Sequence, residues 1–156
     1  MKSVLMSIQY ENNKNIESGL KRSELRTKAP RLEPPFKVYT YESGLGGQKK
    51  VVNEWICRSM TTWRMCMGVP AHLSKAACVS NEYIYGYSGG GKNDIVEMKI
   101  DNLVIYDNPI ELGEFFLACN KKPNTDCSHC LDKNEQSCHM VTVPPQNFIY
   151  VEERMK

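Results

Sequence analysis

Residues 19–26 read Gly-Leu-Lys-Arg-Ser-Glu-Leu-Arg and crowd three cations, Lys21, Arg22 and Arg26, around one carboxylate, Glu24. Side chains along a strand alternate faces, so Ser23, Leu25 and Thr27 share one side while Glu24, Arg26 and Lys28 share the other. Leu25 marks the buried face, and Glu24 with Arg26 the open one. Lys21, in the turn just upstream, reaches the same open side. Cationic donors held on regular backbone can grip a phosphate or a base edge. A lysine beside a carboxylate can also move a proton, which makes Lys21 and Glu24 the candidate catalytic pair. A solvated strand carrying a surface ion pair is the plainer reading of the same spacing.

A second group of reactive residues lies near the C-terminus. Cys119, Cys127, Cys130 and Cys138 follow C-x7-C-x2-C-x7-C, with His129 and His139 beside them. The two-residue spacing of Cys127 and Cys130 lets both sulfurs face one metal ion from a tight turn. The residues between them are polar and turn-rich and cannot build a core, so the loop needs a staple or stays mobile. Four soft ligands point to a structural zinc ion, with His139 able to replace Cys138. A loop with exposed reduced thiols is the alternative. A nucleophilic cysteine is disfavoured, because sequence neighbours rarely face each other in catalytic pairs. The remaining cysteines, Cys57, Cys66 and Cys78, are expected to act as small buried or semi-buried hydrophobes.

The elements that must position these groups are short. Ser3–Gln9 alternates as a half-buried strand, and the polar stretch 10–18 is a weak helix anchored by Ile16 and stopped by Gly19. Ser23–Lys28 is the second strand. Ala29-Pro30 and Pro34-Pro35 bracket a connection that cannot be helical. Phe36–Tyr41 and Lys50–Arg58 are strands rich in aromatic and β-branched residues, joined through a turn at Gly44–Gly47. Residues 59–80 read as a strand or a lid interrupted by Pro70. Ser80 caps a helix over Asn81–Tyr87, and Gly89–Gly91 ends it in a loop that lacks the ending of a phosphate-cradling motif. Ile95–Ile100 and Leu103–Tyr106 form a strand broken or bulged at Asp101-Asn102. Pro109 then opens a short helix through Phe116. Five to six strands with two or three small helices predict a compact α+β barrel.

Gly19, Lys21, Glu24 and Arg26 match the G-x-K-x-x-E-x-R signature of the ASCH family, a branch of the PUA-like β-barrels, and the surroundings resemble it too. Ser3–Gln9 resembles the first family strand, residues 12–18 the short helix before the glycine, and Val143–Glu152 the closing strand. Asn102–Phe116 also looks like a segment of the small, phage- or prophage-borne ASCH-like proteins. Residues 60–80 do not align. Tyr10 stands where many relatives carry proline, and Arg22 stands where threonine is usual. The resemblance implies one ASCH-like domain over residues 1–156, a small mixed β-barrel with a Cys-rich loop at 119–139 inserted before the last strand.

Composition narrows the function. The chain has 156 residues, 41% apolar and 24% charged, with a formal net charge of +2. There is no global basic field of the kind that drives nonspecific nucleic-acid binding, so any such contact must use a local patch. No apolar run approaches the roughly 20 residues that cross a bilayer, the N-terminus is too soon polar for a signal peptide, and a cytoplasmic location is expected. The resemblance implies binding of RNA, a nucleotide or a modified base, with Lys21, Arg22, Glu24, Arg26 and Lys28 at the ligand. Tyr39, Tyr41, Trp55 and Trp63 are candidate stacking partners, Tyr39 and Trp55 being also suited to the core.

Two other functions stand beside that one. Some ASCH relatives are hydrolases, amidohydrolases on acetylated cytidine or ribonucleases. The former use a lysine, a hydroxyl and a glutamate; here Lys21 matches, Glu24 holds the hydroxyl's position with Ser23 one residue away on the other face, and Glu97 or Glu54 would have to complete the site. The phage-like affinity implies a host-takeover or counter-defence protein that binds a host protein or RNA in the bacterial host cytoplasm, with Trp63–Met67 as a partner surface.

Overall fold

A computed structural model describes residues 2–118 and 140–155. The zinc ligands expected from the sequence, Cys119, Cys127, Cys130 and Cys138, and the alternates His129 and His139, lie outside the described residues. Six strands run in chain order with three helices: β1 (Lys2–Gln9), α1 (Tyr10–Glu17), β2 (Ser23–Arg26), β3 (Phe36–Ser43), β4 (Val51–Trp63), α2 (Leu73–Ala77), α3 (Asn81–Tyr87), β5 (Ile95–Ile110) and β6 (Phe148–Glu152). They form one curled sheet in the order β2-β5-β4-β3-β1-β6. β1 and β3 pair in parallel, which requires a crossover, and α1 with β2 supplies it. The other ladders are antiparallel. This is the mixed α+β half-barrel expected.

β1 is covered on both faces, where the sequence suggested only one. Val4, Met6 and Ile8 pack with Ile16, Phe36, Val38 and Trp55 on the concave side. Leu5 packs with Tyr39, Tyr41, Val51, Phe115 and Val151 on the other. Tyr39, Tyr41 and Trp55 are therefore core residues, exposed by 1%, 6% and 0%, and cannot stack on a ligand. The outer layer is closed by residues 115–118 and 140–141. Leu117 bridges to Val151, and Glu152 N donates to Phe116 O at 2.9 Å.

The region from 59 to 94 builds a third cluster. β4 runs on to Trp63, a 3₁₀ turn follows at Met65–Met67, and α2 and α3 lie over the β2–β5 ladder. Leu25, Met65, Leu73, Ala77, Ile84 and Ile95 bury one another there. The expected partner surface at Trp63–Met67 is thereby reduced: Met65 is fully buried, while Met67 projects into solvent. Burial pushes the Cys57 thiol up to about 12. Cys78 is half-buried, but Cys66 is exposed, contrary to its reading as a buried hydrophobe.

Two boundaries differ from expectation. β5 continues through Pro109 to Ile110, and only a single 3₁₀ turn, Leu112–Glu114, stands where a helix was expected. The strand absorbs the irregularity at Asp101-Asn102 as a bulge, with Asn102 at φ +48° and its N–H donating to Asp101 Oδ1 at 3.0 Å. Gly19, at φ +81°, ends α1 as the sequence suggested. Its N–H donates to Ile16 O at 3.0 Å and the Lys21 N–H to Asn15 O at 2.9 Å, so this reversal sets where Lys21 emerges.

Candidate functional site

β2 carries the cluster, and its partner β5 fixes the register, with Glu24 opposite Met98 and Arg26 opposite Val96. Lys21, Glu24 and Arg26 line one pocket of about 260 Å³, at the mouth of the curl between β1, β2 and α3. The three head groups predicted to share a face do share it. They are not a solvated surface pair, because Lys21 is 5% and Glu24 7% exposed.

The three side chains have different duties. Lys21 Nζ donates to Ala77 O at 2.9 Å and stands 3.5 Å from Glu24 Oε2. That separation is an ion pair but too long for a good hydrogen bond. Glu24 Oε1 accepts from Arg26 Nε at 3.0 Å, while Oε2 is buried without a hydrogen-bond partner. Buried carboxylate oxygens are nearly always satisfied, and this one leans on the ion pair with Lys21 alone.

Arg26 is occupied by the protein itself. Its two terminal amino groups donate to Asn147 Oδ1 at 2.8 Å and to Ser7 O at 2.9 Å. The guanidinium thus ties the β2 edge to β1 and to the segment entering β6, across the gap the sheet ladders leave open. Asn147 Nδ2 returns a bond to Lys28 O at 3.3 Å, and Ser7 Oγ donates to Pro145 O at 2.6 Å. Arg26 is a positioning residue that fixes Glu24. Lys28 itself is exposed beyond the end of β2 and does not line the pocket.

Arg22 departs from expectation. It is exposed and lines a second cavity together with Ser23 and Glu97, on the side away from Lys21. Ser23 behaves as alternation requires: it is buried and donates to Glu97 Oε2 at 2.7 Å. Glu97 Oε1 also accepts from Trp63 Nε1 at 3.1 Å and lies 3.0 Å from His72 Nε2. Burial alone would raise the Glu97 pKa, but the bonds from His72, Ser23 and Trp63 outweigh it and hold the carboxyl below its ordinary range. Glu54 is elsewhere, paired with Lys37 at 3.2 Å and accepting from Tyr106. Neither glutamate lines the Lys21 pocket. The lysine–hydroxyl–glutamate set considered for a hydrolase is not assembled from Lys21, Ser23 and Glu97 or Glu54.

The aromatic residues of the site were missed. Tyr83 and Tyr87, one turn apart on α3, line the Lys21 pocket while remaining 58% and 39% exposed. Their rings are nearly parallel, 11° apart with centroids at 6.2 Å. The signal was present in the sequence, because Ser80 caps the helix through Tyr83 N at 3.0 Å and a seven-residue amphipathic helix buries only a narrow stripe. Ile84 occupies that stripe, which turns the tyrosines out. Trp63, expected as a stacking partner, is instead committed to Glu97 and packs edge-on against His72 at 5.3 Å.

No family model and no curated protein sequence matches the chain. Solved structures do. The ASCH protein of Zymomonas mobilis superposes with a TM-score of 0.67 at 17% identity, covering 97% of this chain and 88% of that one. A tyrosine-to-phenylalanine variant of the same protein gives 0.68 at 17% identity, covering 98% and 92%. A serine-to-alanine variant gives 0.67 at 17% identity, covering 97% and 89%. With a six-stranded mixed sheet, three helices and the signature residues on β2 and in the turn before it, the chain has the fold of an ASCH domain.

Proposed function

We propose that the Lys21 pocket binds one base of an RNA strand, or a nucleotide or modified nucleoside of the same shape. The observation that carries this reading is the Lys21–Glu24 ion pair, 3.5 Å across, lining a pocket that Tyr83 and Tyr87 also line. Together Glu24 and Lys21 offer an acceptor and a donor side by side, which complements the adjacent acceptor and donor of a base edge. Tyr83 and Tyr87 at the rim would stack the base or its neighbour, a contact worth about 1–3 kcal/mol. The volume of about 260 Å³ suits a single base. It falls just under the roughly 300–1,000 Å³ of sites for drug-sized ligands.

Binding is favoured over hydrolysis because Ser23 and Glu97 serve the other cavity. The test is titration with short RNAs and with nucleosides including N4-acetylcytidine, comparing wild type with Lys21→Ala and following products. Saturable binding weakened at least about tenfold by the substitution, without turnover, supports the reading. Turnover abolished by Lys21→Ala would replace it with an enzyme. Indifference of both to Lys21→Ala would remove the pocket from the function. A zinc ion held by Cys119, Cys127, Cys130 and Cys138 belongs to the same proposal on sequence spacing alone.

A further inference from the structure

Consecutive residues of the signature serve different cavities. Lys21 reaches the pocket described above and is held by the Ala77 carbonyl of α2. Arg22, whose N–H donates to Ala76 O at 2.8 Å, lines a second cavity of about 470 Å³. That cavity lies between α2, the start of β2 and inner stretches of β4 and β5. Arg22 from the turn before β2, Arg58 from β4, Lys75 from α2 and Lys99 from β5 surround it, each exposed.

The charge balance there is uneven. The lining carboxylates are Glu97 and Asp101. Glu97 is 2% exposed and already engaged by Ser23, Trp63 and His72, so it is a support for the wall and not a free acceptor. Several cations elsewhere are paired, Lys14 with Glu17, Lys37 with Glu54 and Glu153, Lys50 with Glu111, and Arg154 with Glu114, all within 3.3 Å, while the other unpaired ones do not line this cavity. Among the described residues, the only ion pair involving this cavity's lining is His72 with Glu97. Four unpaired cations around a concavity repel one another, and a concave wall focuses their field on whatever enters. In a chain whose whole formal charge is +2, this concentration is local.

We propose that the second cavity is a phosphate-binding site, taking phosphodiester or phosphate-ester groups through Arg22, Arg58, Lys75 and Lys99. Two guanidinium forks suit bidentate contact with phosphate oxygens, and two lysines add point charges. The site recognises phosphate alone, so it stands independently of the base-binding reading.

The experiment uses a fluorescent abasic oligonucleotide of about eight units, within the span of single-strand sites, so that no base can report on the first pocket. Anisotropy is followed across a salt series for wild type and for the double variant Arg58→Gln/Lys99→Gln, with thermal melting to confirm the fold. Each lost phosphate contact should flatten the dependence of log affinity on log salt by about 0.7, so the double variant should lose about 1.4 in slope. It should also bind at least about tenfold more weakly at low salt. A second arm titrates inorganic pyrophosphate by calorimetry. Pyrophosphate binding that needs Arg58 and Lys99, without strand binding, supports the site and assigns it to free phosphate esters. Wild-type affinity and slope in the double variant, with pyrophosphate equally unaffected, would overturn the proposal.

Discussion

Lys21 Nζ and Glu24 Oε2 face each other across 3.5 Å at the floor of a pocket, and neither satisfies the other as a hydrogen-bond partner. The lysine is anchored instead by a backbone carbonyl, and the glutamate by Arg26. The pair thus stands at the pocket as an ion pair whose two members are held by different partners. Its two halves should respond differently to substitution. Lys21→Met leaves Glu24 with Arg26 as counter-charge, so the stability loss should be modest while ligand affinity falls at least about tenfold. Glu24→Gln leaves the buried Lys21 ammonium without a carboxylate, a kind of change that costs about 3–5 kcal/mol. Urea midpoints for the two variants check the order; equal losses would mean that Arg26 does not compensate.

Tyr83→Ala should weaken binding of short RNA by about 1–3 kcal/mol, the worth of one stacked base, and Tyr87→Ala likewise. Both rings are substantially exposed, so stability should stay within about 0.5 kcal/mol of wild type. Anisotropy and thermal melts on the same preparations separate the two effects. Lost stability with intact binding would turn the tyrosines into packing residues.

Arg26→Lys keeps the charge and removes the planar fork that reaches Glu24, Ser7 and Asn147 at once. A lysine cannot reproduce three divergent bonds, so a loss of about 2–3 kcal/mol is expected. Hydrogen exchange should show the damage at the β2 edge and at residues 145–147 first. Uniform protection there would mean the seam is held by other contacts.

Glu97 makes stability depend on acid. Its carboxyl lies below the ordinary value of 4.5, so the folded state binds its proton less readily than the unfolded state. The contribution is complete above pH 4.5 and is lost as pH falls through the lowered folded value. Urea midpoints taken from neutral pH downward should fall more steeply below pH 4.5 for wild type than for Glu97→Gln. Parallel curves would assign the acid sensitivity to other groups.

Purified protein is expected to carry about one equivalent of zinc, released by chelator with loss of thermal stability. Elemental analysis finding less than about half an equivalent would count against ligation by Cys119, Cys127, Cys130 and Cys138.

The sequence by itself determined the local rules: Gly19 to end a helix, period-two alternation on β2, Ser80 as a cap, and a bulge at Asp101-Asn102. These depend on neighbours a few residues apart, and they suffice to put Lys21, Glu24 and Arg26 on one face and Ser23 with Leu25 on the other. Tertiary structure alone decided what that face meets. Arg26 finds Ser7 and Asn147, 19 and 121 residues away, only because the sheet curls β2 back toward β1 and β6. Tyr39 and Trp55 are core because β1, β3 and β4 are covered on both sides, whereas Tyr83 and Tyr87 are exposed because Ile84 claims the single buried stripe of α3. Arg22 joins Arg58, Lys75 and Lys99 for the same reason, since long-range packing of α2 on the β2–β5 ladder gathers charges that lie far apart along the chain.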